Sequence, residues 1–123
     1  LPIFNKVEIK TPDEKLMERI LTEINKNISN PDYDIETMAA NVGISRVHLY
    51  RKLKELTGQS TREFIRNTRL QQAASLLKEK GQNISEVAMA TGFINVTYFS
   101  TAFKTLYGLS PKDFINKYRK ENV

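Results

Sequence analysis

Between residues 45 and 58 the chain reads SRVHLYRKLKELTG, with four cations, Arg46, Arg51, Lys52 and Lys54, against the single acid Glu55. Two kinds of chemistry are open to them. A guanidinium is a rigid fork of N–H donors that can pair two acceptors at once, as on the O6/N7 edge of guanine, worth ~1–3 kcal/mol of discrimination. A lysine ammonium is a point charge that neutralises a phosphate and reads no sequence. Residues 95–108, NVTYFSTAFKTLYG, repeat the apolar spacing and the closing glycine but keep only Lys104 of the charges.

Placed on a helical wheel at 100° per residue, 46–57 turns Leu49, Lys52, Leu53 and Leu56 to one side and Val47, Arg51 and Lys54 to the other. His48, Tyr50 and Glu55 flank the second face. The same construction on 96–107 packs Phe99, Ala102, Phe103 and Leu106. It turns out Thr97, Thr101 and Lys104, flanked by Ser100 and Thr105. Val47, Arg51, Thr97 and Thr101 are therefore the expected readers of base edges: Val47 against a thymine methyl, the threonines by hydroxyl or methyl. Arg46, His48, Lys52, Lys54, Arg62, Lys104 and Lys112 are expected on phosphate, with the capped helix starts at Ser60 and Ser110. Arg51 has a competing role as an intrahelical partner of Glu55, and Tyr50 packs against helix stems as readily as it faces outward. Arg66 and Arg69 read as ion-paired or solvated.

The elements that must hold these faces are legible around them. Thr11-Pro12-Asp13-Glu14 is a capped helix start, and Leu16, Ile20, Ile24 and Ile28 at a spacing of four predict a helix over 12–29. Residues 1–11 show no sustained period and read as a linker or arm, and Asn30-Pro31-Asp32 is a break. DIETMAANVG (34–43) then lies over NISEVAMATG (83–92) at an offset of 49, which becomes 50 after the turn. Asp34 and Asn83 cap short helices, and Gly43 and Gly92 follow their ends. Gly58-x-Ser60 matches Gly108-x-Ser110, and Phe64-Ile65 matches Phe114-Ile115. Each copy is a helix-turn-helix. Ser60-x-x-Glu63 opens a helix over about 61–79, ~28 Å long, which would set the copies roughly one DNA turn (~34 Å) apart. Ser110-Pro111 opens the last helix, ending near Lys120.

The expected fold is all-α, with about seven helices. Residues 1–11 form the arm, 12–60 and 81–123 the two helix-turn-helix subdomains, and 61–80 the connector. Net charge is +5. The segment 12–44 holds three basic against seven acidic residues, whereas 45–56 and 62–80 are each basic, a clustering that points to a polyanion. There is no cysteine and one histidine, so no thiolate metal site and no catalytic constellation is visible; no cofactor is expected and the chain reads as non-enzymatic. No apolar run approaches a membrane span, and a cytoplasmic setting is expected. The rival reading is a helical protein-docking module without direct DNA readout.

Gly92-Phe93, Tyr98-Phe99-Ser100, Phe103-Lys104, Gly108, Ser110-Pro111 and Phe114 together resemble the DNA-binding domain of the AraC/XylS family of transcription regulators over about 12–120. Arg69-Leu70 with Ala73, Leu76 and Leu77 is similar to the family's connector helix. The resemblance implies two helix-turn-helix units that read successive major grooves of double-stranded DNA, with RNA polymerase as a further partner. Where the family often has arginine, this chain has Thr101; the first unit keeps Arg51. Ser45-Arg46 and Tyr50-Arg51-Lys52-Leu53-Lys54 with Leu56-Thr57-Gly58 look like the output domains of hybrid two-component regulators. That likeness implies an upstream receiver domain, or otherwise a ligand-sensing domain, in the parent chain, with 1–11 as the end of the joining linker.

Overall fold

The computed structural model describes residues 8–79 and 81–119. The arm expected at 1–11 lies largely outside the described residues. Seven α-helices and no strands occur among the described residues: α1 (Pro12–Lys26), α2 (Ile35–Val42), α3 (Arg46–Thr57), α4 (Thr61–Leu77), α5 (Ile84–Ala90), α6 (Val96–Tyr107) and α7 (Pro111–Tyr118).

Every start carries a side-chain cap, because the first amides of a helix have no partner within it. Thr11 and Ser60 form full capping boxes with Glu14 and Glu63. Asp34, Ser45, Asn83, Asn95 and Ser110 accept from amides in the first turn of α2, α3, α5, α6 and α7. The helices are shorter at their ends than the apolar spacing predicts. α1 stops at Lys26, so Ile28 packs on the core from a turn. α4 stops at Leu77, giving a connector of ~26 Å.

Two cores form. Leu16, Ile20 and Ile24 of α1 meet Met38, Ala39 and Val42 of α2 and Leu49 and Leu53 of α3 in an aliphatic cluster. Val87, Ala88, Phe93, Phe99, Phe103 and Phe114 meet Leu70, Ala73, Ala74 and Leu77 of α4 in an aromatic one. Ring centroids there lie 5.1 Å apart for Phe93–Phe99 and for Phe103–Phe114, both edge-on, the arrangement the ring quadrupoles favour. α4 serves both halves. Phe64 and Ile65 at its start close the first core, as Phe114 and Ile115 of α7 close the second, and its later residues do for α5 and α6 what α1 does for α2 and α3.

Leu56 and Leu106 correct the wheel. Both were expected on the packed side, yet they are 39% and 38% exposed, since the last turn of each helix runs past the core. Arg69 is the larger correction: it is neither solvated nor paired to an acid. It is 7% exposed, and its guanidinium donates to the carbonyls of Ile28, Asn30 (2.9 Å) and Thr91 (3.0 Å). One buried cation thus ties the end of α1 to the turn of the second unit. Burial pushes its pKa down from the ordinary arginine value.

Candidate nucleic-acid interface

α3 and α6 are held alike. Gly58 and Gly108 end them in the left-handed conformation, each amide donating to the lysine four residues back, Lys54 or Lys104. The alternation of exposed, half-buried and buried positions over 51–60 is the same, residue for residue, over 101–110. Equal spacing of core residues has therefore produced the same division of buried and exposed positions, and the two outward faces correspond.

On α3, Val47 is 59% exposed and Arg51 and Lys54 face solvent beside it. Arg51 forms no ion pair or hydrogen bond among the described residues; Glu55 lies 3.7 Å from Lys52 instead. Its fork is free. Lys54 donates to the Gly58 carbonyl at 3.1 Å, so its ammonium sits at the end of the helix. Arg46 lies 3.6 Å from Glu36, an exposed pair that costs little to open. His48 is exposed, its backbone amide held by the Ser45 hydroxyl at 3.1 Å.

Lys52, expected on phosphate, is half-buried and bonded to an acid within the protein. Its ammonium donates to Asp13 of α1 at 3.0 Å, and this hydrogen bond is the chief reason its pKa is raised. The wheel had already put Lys52 on the packed side; the long stem reaches an acid across the helix pair and tethers α3 to α1.

On α6, Thr97, Thr101 and Lys104 are exposed. The Thr101 hydroxyl donates to the Thr97 carbonyl at 3.1 Å, and Thr105 to that of Thr101 at 3.0 Å. With its proton engaged by the helix backbone, Thr101 turns out a methyl and acceptor lone pairs. Lys104 and Lys112 are exposed, with no acid partner among the described residues. Ser60 and Ser110 are half-buried, and their hydroxyls accept from the amides of Glu63 (3.2 Å) and Asp113 (3.1 Å). The Ser60 bonds hold the Glu63 carboxyl below its usual range.

Between the two faces runs a cleft. Arg62, Arg66, Tyr98, Tyr33, Gly92 and Phe93 are among its lining residues, and Arg69 closes its floor. Arg69 is the positioning residue that sequence reasoning missed. Its signal lay in the register: Arg69, Ala73, Leu76 and Leu77 share one apolar stripe of α4, where a solvated cation would not sit.

A helix-turn-helix domain family model matches residues 38–117. "Histidine kinase P4" of Formosa agariphila is 30% identical over 117 residues, covering 95% of this chain and 8% of that protein. The "HTH-type transcriptional regulator MtrA" of Neisseria gonorrhoeae is 39% identical over 100 residues, covering 80% of this chain and 32% of its own length. The chain thus spans a third or less of these curated relatives. Among solved structures, the C-terminal domain of AraT, a response regulator from Geobacillus stearothermophilus, superposes with a TM-score of 0.77 at 29% identity, over 91% of this chain and 93% of the other. The DNA-binding domain of the transcriptional factor AdpA, solved with a target DNA, gives 0.72 at 27% identity, over 84% and 91%. With two matched helix-turn-helix units on a shared connector, the chain belongs to the helix-turn-helix family of AraC-type transcription-regulator DNA-binding domains.

Proposed function

We propose that residues 12–60 and 81–123 are two reading units, joined by 61–80, that bind adjacent major grooves of one duplex with unequal roles. In the first unit Arg51 reads guanine and Val47 a thymine methyl. In the second Thr97 and Thr101 select by methyl contact and shape. Arg46, His48, Lys54, Arg62, Lys104 and Lys112, with the capped starts of α4 and α7, hold the backbone. The observation that carries this reading is the guanidinium of Arg51, unpaired among the described residues, on an outward face whose pattern of exposure α6 repeats.

The parent protein, on this proposal, is a regulator in two-component signalling, with a phosphorylation-controlled domain upstream of residue 1 and RNA polymerase as the partner of the bound complex. A histidine kinase relative matched along 95% of this chain and a response-regulator C-terminal domain of the same shape support it.

Selection of bound sequences from a random duplex pool, at low and high salt, tests the core of the proposal. Two short conserved blocks about one helical turn apart are expected, with affinity falling steeply as salt rises. Affinity independent of salt, with no enriched sequence, would favour a protein-docking role instead.

A further inference from the structure

The cleft between the two units is lined by Arg62, already assigned to the backbone, and by Arg66, which neither recognition face uses. Arg62 and Arg66 stand on successive turns of α4, and no hydrogen bond or ion pair of either guanidinium occurs among the described residues. Glu63 is near enough to feel the charge of Arg66, yet its carboxylate is occupied in the Ser60 capping box. Two further depressions extend the cleft. One runs from Arg62 along Ser60 and Thr61 to Arg46, Val47 and Tyr50, the flank of α3. The other runs from Arg66 and Asn67 along Tyr98 to Thr101 and Thr105, the flank of α6. Tyr98 is 54% exposed and borders both the central cleft and the second depression. A seam of positive charge therefore runs from one reading helix to the other across the connector.

We propose that this seam, centred on Arg66, seats the sugar-phosphate backbone bordering the minor groove that lies between the two major grooves; the inference rests on the two-groove reading above. Two helices in successive major grooves on one side of a duplex turn the intervening minor groove toward whatever joins them. Here that is α4. An arginine free of acid partners can clamp a phosphate with two parallel hydrogen bonds, and the Tyr98 hydroxyl beside it can donate a third. Arg66 on this account fixes the register between the two half-sites and reads no base.

The test uses Arg66→Ala and Arg66→Lys in this chain, on the selected operator. Neutral methylphosphonate linkages are placed one at a time between the half-sites. For the unaltered chain, one or two of these positions weaken binding. In Arg66→Ala the same positions become silent, and the salt slope falls by about one, so its affinity deficit shrinks ~4-fold between about 50 and 200 mM salt. Arg66→Lys, which keeps the charge and loses the fork, retains the slope but restores only part of the affinity. Thermal melts should leave Arg66→Lys unchanged and lower Arg66→Ala only slightly, since the half-buried Arg66 forms no hydrogen bond or ion pair among the described residues. Equal methylphosphonate sensitivity in Arg66→Ala and the unaltered chain would overturn the seam. So would a loss confined to A·T-rich spacers, which would place Arg66 inside the minor groove. Failure of the unaltered chain to bind any duplex would instead remove the two-groove reading beneath it.

Discussion

The guanidinium of Arg69 occupies the space that a side chain at residue 92 would need. A β-carbon built on Gly92 would stand 1.6 Å from Arg69 Nη1 and 2.5 Å from the Ile28 carbonyl oxygen. Glycine at 92 is thus required twice over, by its backbone φ of +88° and by the cation beneath it. Arg69, Ile28 and Gly92 belong to the connector, the first unit and the second, so their contact fixes how the units face each other.

Gly92→Ala should therefore cost far more than the same change at Gly43. Gly43 has a similar φ of +92° but open space around its missing side chain, so alanine there pays only the left-handed conformation, ~1–2 kcal/mol. At residue 92 the substituent must also push a buried cation off its three carbonyls, raising the cost to ~3 kcal/mol or more. With ~4 °C per kcal/mol for a domain of this size, thermal melts separate the two variants readily. Similar melting temperatures would show that the guanidinium simply moves aside.

The outline of the fold was legible because its signals are local: caps, spacing-four apolar stripes and glycines past helix ends. Position 28 shows where that fails. Ile28 continues the stripe of Ile20 and Ile24 and reads as helical, yet the helix ends at Lys26 and Ile28 packs from a turn, its carbonyl accepting from Arg69. A residue 41 positions later made that ending useful, and no window of sequence contains both. The outward faces were likewise readable from the wheel, whereas the partners of Lys52 and Thr101 were not. A period assigns a face, and only coordinates show that the Lys52 stem reaches Asp13 or that the Thr101 proton is taken by Thr97.

Acid should loosen the first unit through two of its carboxylates. The Glu23 carboxylate accepts from the Tyr33 hydroxyl at 2.5 Å and from Asn41 at 3.1 Å, and these bonds, Tyr33 first, hold its pKa below the usual value. Asp34 is lowered in the same direction by the Thr37 amide it caps. A carboxyl whose folded pKa lies below its unfolded one contributes its full stability above the unfolded value, near 4. That contribution is lost as pH falls through the folded value. Melting temperature followed downward from pH 6 should drop less steeply for a Tyr33→Phe, Asp34→Asn double variant. An acid limb unchanged by the pair would assign the loss to other carboxyls.

Lysines on the two recognition helices should divide by partner. Lys52→Met should lower the melting temperature slightly while leaving the salt slope of DNA binding intact, because its ammonium is committed to Asp13. Lys104→Met should do the reverse, lowering the slope by about one at constant stability, because Lys104 is exposed with no acid partner among the described residues. A matching fall in slope for Lys52→Met would mean that the Asp13 bridge opens on DNA.

Substitutions at Arg51 and Thr101 should expose the unequal roles of the two units most directly. Arg51→Ala removes a fork with no ion pair or hydrogen bond among the described residues, so stability should hold while one position of the selected site loses its guanine preference. Thr101→Val keeps the outward methyl and deletes a hydroxyl whose proton already serves the helix backbone, so selectivity at the second half-site should survive nearly intact. Thr101→Arg places at the equivalent point of α6 the fork that α3 already carries, on a helix with the same pattern of exposure. A new guanine preference of ~1–3 kcal/mol should appear about one turn from the first. If Thr101→Arg binds duplex as before but gains no base preference, α6 lies too far from the base edges to read them. The second unit would then grip backbone alone.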